Sequence, residues 1–399
     1  MARPQAAVRR RVPRAAVVAT ALSILLLVVV LVEARSASEP VLVPQEARVS
    51  PAAGGGCPVL DPERRPVRIM FVGDSMTQGR SGSATYRYWV WRGLTDPVED
   101  GGAGREDVVF VGPTTTLNGP DGASAYEHLD HGFADQLEHA GSAGATFPSS
   151  REQFPAARLV RQGRPDVIVL QLGYNDANDP DLTPAELAER FTSYVEAVRA
   201  VAPDTRFVLG EIPPAEGARS TPEETAERNR RTAEANALVA ERWGGSPCAV
   251  QVNRLRDADD PAWDPVEHTY DGAHPDPAGE TLMADRMLES LGRLGVFAGE
   301  VHVYDADEAW DPRPRPEVTA TDDGRVRVAW ASEKDRLSAT SLQLLVTTDG
   351  EERETRFYTD DVVTLDLGPG EHEVRAVVGR GLPGRMVSEP GEPAVVTTR

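Results

Sequence analysis

Four residues could together carry out chemistry. Ser75 ends the run Arg68-Ile69-Met70-Phe71-Val72-Gly73-Asp74-Ser75, Asn175 follows Val169-Leu170-Gln171-Leu172-Gly173-Tyr174, and Asp271 and His274 stand three apart in Tyr270-Asp271-Gly272-Ala273-His274-Pro275. A serine hydroxyl is a weak nucleophile until a base accepts its proton. Histidine is the usual base, oriented by a carboxylate on its other ring nitrogen. An asparagine amide can donate to the oxyanion that forms when serine attacks an acyl carbon. In isolation Gly-Asp-Ser and Asn-Asp make turns, and a lone histidine, one of seven here, is structural or solvated. Their order along the chain, each just past an apolar strand or just before a helix, points to acyl transfer.

The elements that must position them are legible. Continuous apolar runs at Val67–Val72, Val108–Val111, Val167–Leu172, Arg206–Ile212 and Ala249–Val252 suggest strands covered on both faces, as in a parallel sheet. Between them lie helix signals. Thr183-Pro184-Ala185-Glu186 and Thr221-Pro222-Glu223-Glu224 each combine a capping box with proline in the first turn, and Asp276-Pro277 opens a third helix. This alternation predicts an α/β fold with a doubly wound parallel sheet, in which ligands bind off the carboxyl ends of strands. Tyr86, Tyr88, Trp89 and Trp91 read as the buried face of the helix after Ser75 rather than as a sugar platform.

Gly73-Asp74-Ser75, Gly173-Tyr174-Asn175-Asp176 and Asp271-x-x-His274 resemble the first, third and fifth sequence blocks of the SGNH (GDSL-type) hydrolases, over about residues 66–295. The resemblance implies a flavodoxin-like fold, Ser75 as nucleophile, Asp271 and His274 as its activating pair, and no metal or cofactor. It also implies an oxyanion hole from Ser75, Asn175 and a second-block glycine. Within His139-Ala140-Gly141-Ser142-Ala143-Gly144-Ala145-Thr146 the preferred match is Gly144, with Gly141 the alternative. The α/β-hydrolase pentapeptide Gly-x-Ser-x-Gly does not occur. His128-Leu129-Asp130-His131 with His139 lacks the His-Glu-x-x-His zinc spacing and reads as a solvated loop.

The expected organisation is a basic segment at 1–14, an apolar span at 15–33, a Pro/Gly/Ala-rich linker at 34–64, the hydrolase domain at 65–298, a linker at 299–315 and a β-sandwich at 316–399. Arg3, Arg9, Arg10, Arg11 and Arg14 precede the apolar run, which puts the rest of the chain outside the cytoplasm. The length of the run favours an uncleaved membrane anchor over a cleaved signal. Outside the cytoplasm Cys57 and Cys248 are free to form a disulfide. A net charge of −21 excludes nucleic acid as a partner, since phosphate neutralisation needs a basic surface.

In the C-terminal part Val326, Val328 and Trp330, then Val374, Ala376 and Val378, alternate with polar residues, and turn signals recur at Asp349-Gly350 and Pro369-Gly370. Trp330, Leu367-Gly368-Pro369-Gly370-Glu371-His372-Glu373-Val374 and Ser388-Glu389-Pro390 resemble a fibronectin type III domain, with His372 where that family has tyrosine. By analogy such a module is a spacer, so a chain ended near Glu300 is expected to keep its activity.

The functional expectation is an extracytoplasmic serine esterase acting on short-chain acyl esters, with acetylated carbohydrate the preferred class. The alternatives are acyl transfer to a cell-surface glycan and an inactive surface-binding protein. The substrate is a small-molecule or glycan ester, and the membrane is met through the N-terminal segment.

Overall fold

The computed structural model describes residues 48–49, 57–60, 66–80, 84–96, 107–118, 133, 135–217, 220–245, 248–255, 262–304, 313–337, 339–381 and 385–399. The basic segment, the apolar run and the histidines at 128 and 131 lie outside them, and no helix among the described residues is long and apolar enough to cross a membrane.

Five parallel strands lie side by side in the order Val108–Phe110, Val67–Gly73, Val167–Gln171, Arg206–Gly210, Val250–Asn253. Taken along the chain this is order 2-1-3-4-5, the flavodoxin-like arrangement, whose winding reverses between the first and third strands. A short strand, Ala140–Gly141, joins the carboxyl end of the first, pairing Val72 with Ala140. Ile69, Met70, Phe71 and Val72 and Val167, Ile168, Val169 and Leu170 are wholly buried. Alternate side chains of each strand feed two cores, one per face of the sheet, which is why these strands read as unbroken apolar runs.

The helices begin where their caps require. Thr183 accepts from the Glu186 N–H while Glu186 reaches back to the Thr183 N–H, and Thr221 and Glu224 repeat this at the start of Pro222–Trp243. Asp276 caps Pro277–Arg293. Helix Tyr86–Thr95 packs against that last helix and buries Tyr86, Tyr88, Trp89 and Trp91 to 3% exposure or less, so the aromatic run belongs to the core.

Residues 317–398 form two antiparallel sheets. One orders Val362–Leu365, Val326–Ala329, Glu317–Ala320, and the other Glu351–Glu354, Ser341–Thr348, Gly370–Arg380, Met386–Val387, with Ala394–Thr398 also paired to Gly370–Arg380. The inward residues Val326, Val328, Leu342, Leu344, Val346, Val374, Ala376 and Val378 close over Trp330. His372 is buried, and its Nε2–H donates to the Gly368 carbonyl at 3.1 Å while Nδ1 meets the Thr348 hydroxyl at 2.8 Å.

Two stretches expected to be linkers are partly folded in. Arg48–Val49 pairs antiparallel with Val301–His302, the Leu60 N–H donates to Gly295, and Arg206 donates to Pro58. Pairings of two residues have no periodicity, and Pro/Gly-rich composition hid them. Cys57 and Cys248 are joined as a disulfide, with Cα atoms 5.1 Å apart across 191 residues of sequence. The sheet and the sandwich fall in one compact unit, Gln45–Arg399.

Candidate active site

The site lies at the winding reversal of the sheet. The first strand ends at Gly73, and Asp74 turns the chain into the one-turn helix Ser75–Gln78, accepting from the Met76 N–H at 3.0 Å. Arg87, buried in the next helix, donates to the carbonyls of Thr77 and Gln78 at the far end of that turn, where a helix carries partial negative charge. Ser75 therefore sits on a turn fixed at both ends, half-buried, and its N–H has no acceptor among the described residues.

The last helix is preceded by the loop that holds Asp271 and His274. His274 Nδ1 lies 2.8 Å from Asp271 Oδ2, and Nε2 lies 2.9 Å from Ser75 Oγ. With Nδ1–H donating to the carboxylate, Nε2 is left to accept the serine proton. Asp271 Oδ1 accepts the N–H groups of Ala273 and His274, which folds the four-residue segment back on itself. Burial pushes the Asp271 carboxyl up. The His274 hydrogen bond, the charge of the protonated ring and the two N–H donors outweigh it and hold the carboxyl below its usual range. The pair stays accessible, with side chains 24% (His274) and 32% (Asp271) exposed.

The third strand runs into the turn Gly173–Asn175. Asn175 Nδ2 lies 3.1 Å from the Ala145 carbonyl and 3.4 Å from Asp74 Oδ2, so its amide stands between the residue before Ser75 and the residue after Gly144. The second-block loop is held from several sides. Ser142 N–H donates to Gly73, Ala143 N–H to Gln78 Oε1, and Phe147 N–H to both Asp176 oxygens. Gly144 is exposed, has φ +74°, and its N–H has no acceptor among the described residues. Gly141, by contrast, lies in a strand and its N–H is taken by His139 Nδ1 at 2.9 Å. Of the two glycines only Gly144 offers a free donor and the left-handed conformation that glycine tolerates.

His139 is not available to a metal. It is fully buried, and its second nitrogen is bound to the Thr116 carbonyl, 3.1 Å away. Burial and the charge of Arg87 hold it well below the usual histidine range. No metal-binding cluster occurs among the described residues.

Several supporting residues escaped the sequence reading. Arg228, on helix Pro222–Trp243, lies 4.2 Å over the Tyr174 ring and donates to the Tyr174 carbonyl and to Asn178. Arg231 donates to the carbonyls of Ala177, Asp179 and Leu182. Both secure the Asn175 turn from 50 or so residues away, as Arg190 secures Asp176 by an ion pair. Burial raises Asp176, an effect that Arg190 and Phe147 N–H oppose. Burial also pushes Asp74 up to about 7, against the Met76 N–H and the charge of His274. Tyr270, buried at 4% exposure, stacks on His274 with centroids 5.7 Å apart and planes 12° from parallel.

No curated protein matches the chain. Solved structures similar to it include an acetyl esterase with acetate ion (20% identity, TM-score 0.42, covering 56% of this chain and 96% of that one). Others are a carbohydrate esterase family 3 protein from Talaromyces cellulolyticus (21%, 0.43, 56% and 96%) and a lipase/acylhydrolase from Enterococcus faecalis (19%, 0.37, 57% and 95%). The GDSL-like Lipase/Acylhydrolase family matches over residues 71–282. That match runs from the first strand into the last helix of the parallel-sheet fold, more than half of the chain, so the protein belongs to this family of acylhydrolases and is an ester-hydrolysing enzyme.

Proposed function

We propose that the protein is an extracytoplasmic serine esterase that cleaves short-chain acyl esters, acetylated carbohydrate foremost, through an acyl-enzyme on Ser75. The observation that carries this reading is the continuous path Asp271 Oδ2, His274 Nδ1, His274 Nε2, Ser75 Oγ, with contacts of 2.8 and 2.9 Å. As Ser75 Oγ attacks the acyl carbon, its proton passes to His274 Nε2, and Asp271 supports the imidazolium. The tetrahedral oxyanion meets the N–H groups of Ser75 and Gly144 and the Asn175 amide. Collapse expels the alcohol, which takes the proton from His274. Water then repeats the sequence on the acyl-enzyme and releases the acid. The exposure of Asp271 and His274 suits an ester carried on a bulky alcohol such as a glycan.

Placement outside the cytoplasm is supported by the arginine-flanked apolar run at 15–32 and by the Cys57–Cys248 disulfide, since such bonds persist in oxidising compartments. For the sandwich we propose a fibronectin type III-like module. Its corner bond from His372 to Gly368, four residues back, stands where that family uses a tyrosine.

A chromogenic acetyl ester tests the chemistry. Ser75→Ala should unfold at the wild-type temperature and lose turnover by orders of magnitude. His274→Ala should be as severe, and Asp271→Asn less so, because the base survives without its orienting carboxylate. A Ser75→Ala variant retaining more than roughly a tenth of the wild-type rate removes Ser75 from the mechanism. A panel of acetylated glycans and longer acyl chains then ranks the substrates.

A further inference from the structure

Among the described residues the sandwich meets the loop of Asp271 and His274 at the end of its longest strand, Gly370–Arg380, and at Gly381 and Arg385. Arg380 is 1% exposed, donates to the Leu337 carbonyl, and places its guanidinium 5.6 Å from the centroid of the Tyr270 ring. Tyr270 itself packs within the sandwich core, with Trp330, Val378 and Met386 among its cluster, although it belongs to the loop of Asp271 and His274. Gly381 passes so close that a Cβ there would stand 2.1 Å from the Tyr270 carbonyl oxygen, and its φ of +72° also calls for glycine. Four residues on, Arg385 donates to the carbonyls of Pro265 (3.2 Å) and Thr269 (3.3 Å) and to Glu216 Oε2 (2.7 Å). The Glu216 N–H in turn donates to Gly272, inside the Asp271–His274 segment.

Asp271 fixes one edge of the His274 ring and leaves its tilt free. The tilt decides where Nε2 points, and general-base transfer needs Nε2 aimed at Ser75 Oγ within hydrogen-bond reach. A flat ring lying 12° from parallel to the imidazole, with centroids 5.7 Å apart, restrains that tilt. A restraint of this kind works only if the flat ring is itself immobile. The sandwich core encloses Tyr270 at 4% exposure and so holds it in place. The backbone beneath it is tied down by Arg385 from the same turn.

We propose that Tyr270 is a positioning residue for His274 and that the sandwich, through Arg380, Gly381 and Arg385, forms the rear wall of the catalytic site. The inference rests on the acyl-enzyme reading above. It makes the C-terminal domain part of the catalytic unit rather than an appended spacer.

The test uses the full chain and the chromogenic acetyl ester. Tyr270→Leu keeps apolar bulk but removes the flat ring, and should lower kcat by about tenfold to a hundredfold with KM within about twofold, the scale of a small misplacement of a reacting group. Tyr270→Phe keeps the ring and should restore kcat to within about twofold of wild type. Arg385 is partly exposed and away from the core, so Arg385→Ala should fold. It should lower kcat by roughly threefold to tenfold, with Arg385→Lys recovering part of the loss. Ser75→Ala is measured alongside. Wild-type kcat in both Tyr270→Leu and Arg385→Ala, with Ser75→Ala silent, overturns the inference and leaves the acyl-enzyme intact. A loss of kcat that follows the melting temperature, with Tyr270→Phe no better than Tyr270→Leu, also overturns it, because Tyr270 would then be only structural. Turnover that survives in Ser75→Ala removes the acyl-enzyme reading and this inference with it.

Discussion

Replacing Asn175 tests the oxyanion hole separately from the nucleophile and its base. Its amide is half-buried, 3.1 Å from the Ala145 carbonyl and 3.4 Å from Asp74. Only the first contact is short enough to count as a full hydrogen bond. Asn175→Ala therefore removes one neutral hydrogen bond, a stability loss of about 1 kcal/mol. In a unit as large as Gln45–Arg399 that lowers the melting temperature by only about 1–2 °C. A protein stable by about 5–15 kcal/mol stays almost entirely folded at 25 °C. The catalytic effect should be larger. Charge on the oxyanion grows in the transition state, so the lost donor is missed most there. Losing one such donor costs about 10²–10³ in turnover, or about 3–4 kcal/mol. The assay is kcat and KM on a chromogenic acetyl ester, with the melting temperature of the same preparations. The expected result is a kcat loss near that size, KM nearly unchanged and a small thermal shift. Asn175→Asp should be at least as damaging. It places a second carboxyl beside Asp74, whose own group is pushed up to about 7, so the damage should deepen as pH rises past that value. An alanine variant with kcat largely intact and a raised KM refutes the reasoning and puts Asn175 outside the oxyanion hole.

Three further outcomes are expected. Free-thiol labelling of the unfolded, unreduced protein should find none, and reduction should lower stability by up to about 5 kcal/mol for so long a loop; two labelled thiols refute the Cys57–Cys248 link. Folded Asp74 holds its proton up to about pH 7 while the unfolded side chain releases it near 3.8, so its contribution to stability is lost as pH rises between those values. Asp74→Asn keeps an oxygen for the Met76 N–H and removes this titration. The stability of wild type relative to the variant should therefore fall across that window and level off above it, as urea unfolding at several pH values can check; parallel profiles refute the assignment. A chain ended near residue 300, expected from composition alone to stay active, leaves Tyr270 uncovered and should lose kcat even where circular dichroism reports a folded sheet; full activity in that fragment returns the sandwich to the role of a spacer.

What the sequence by itself determined is what depends on neighbours in the chain. Thr183 and Glu186, and Thr221 and Glu224, start their helices through contacts three residues apart, so the signal is complete in four letters. Strands buried on both faces write unbroken apolar runs, and the residues just past two such runs are Ser75 and Asn175, at the carboxyl edge of the sheet where the winding reverses. Asp271 and His274 lie within one loop, so their pairing also was legible. Tertiary structure alone decided the rest. Gly144 and Gly141 are the same residue type three apart, and what separates them is that His139 occupies one N–H and nothing among the described residues occupies the other. Nothing in the sequence around Arg228 and Arg231 marks them out, and only the packing of their helix turns them onto the carbonyls of the Asn175 turn. Tyr270 and Arg380 are over a hundred residues apart, in elements of different period. Their contact comes from how two folded layers meet, and no local pattern encodes a meeting of that kind.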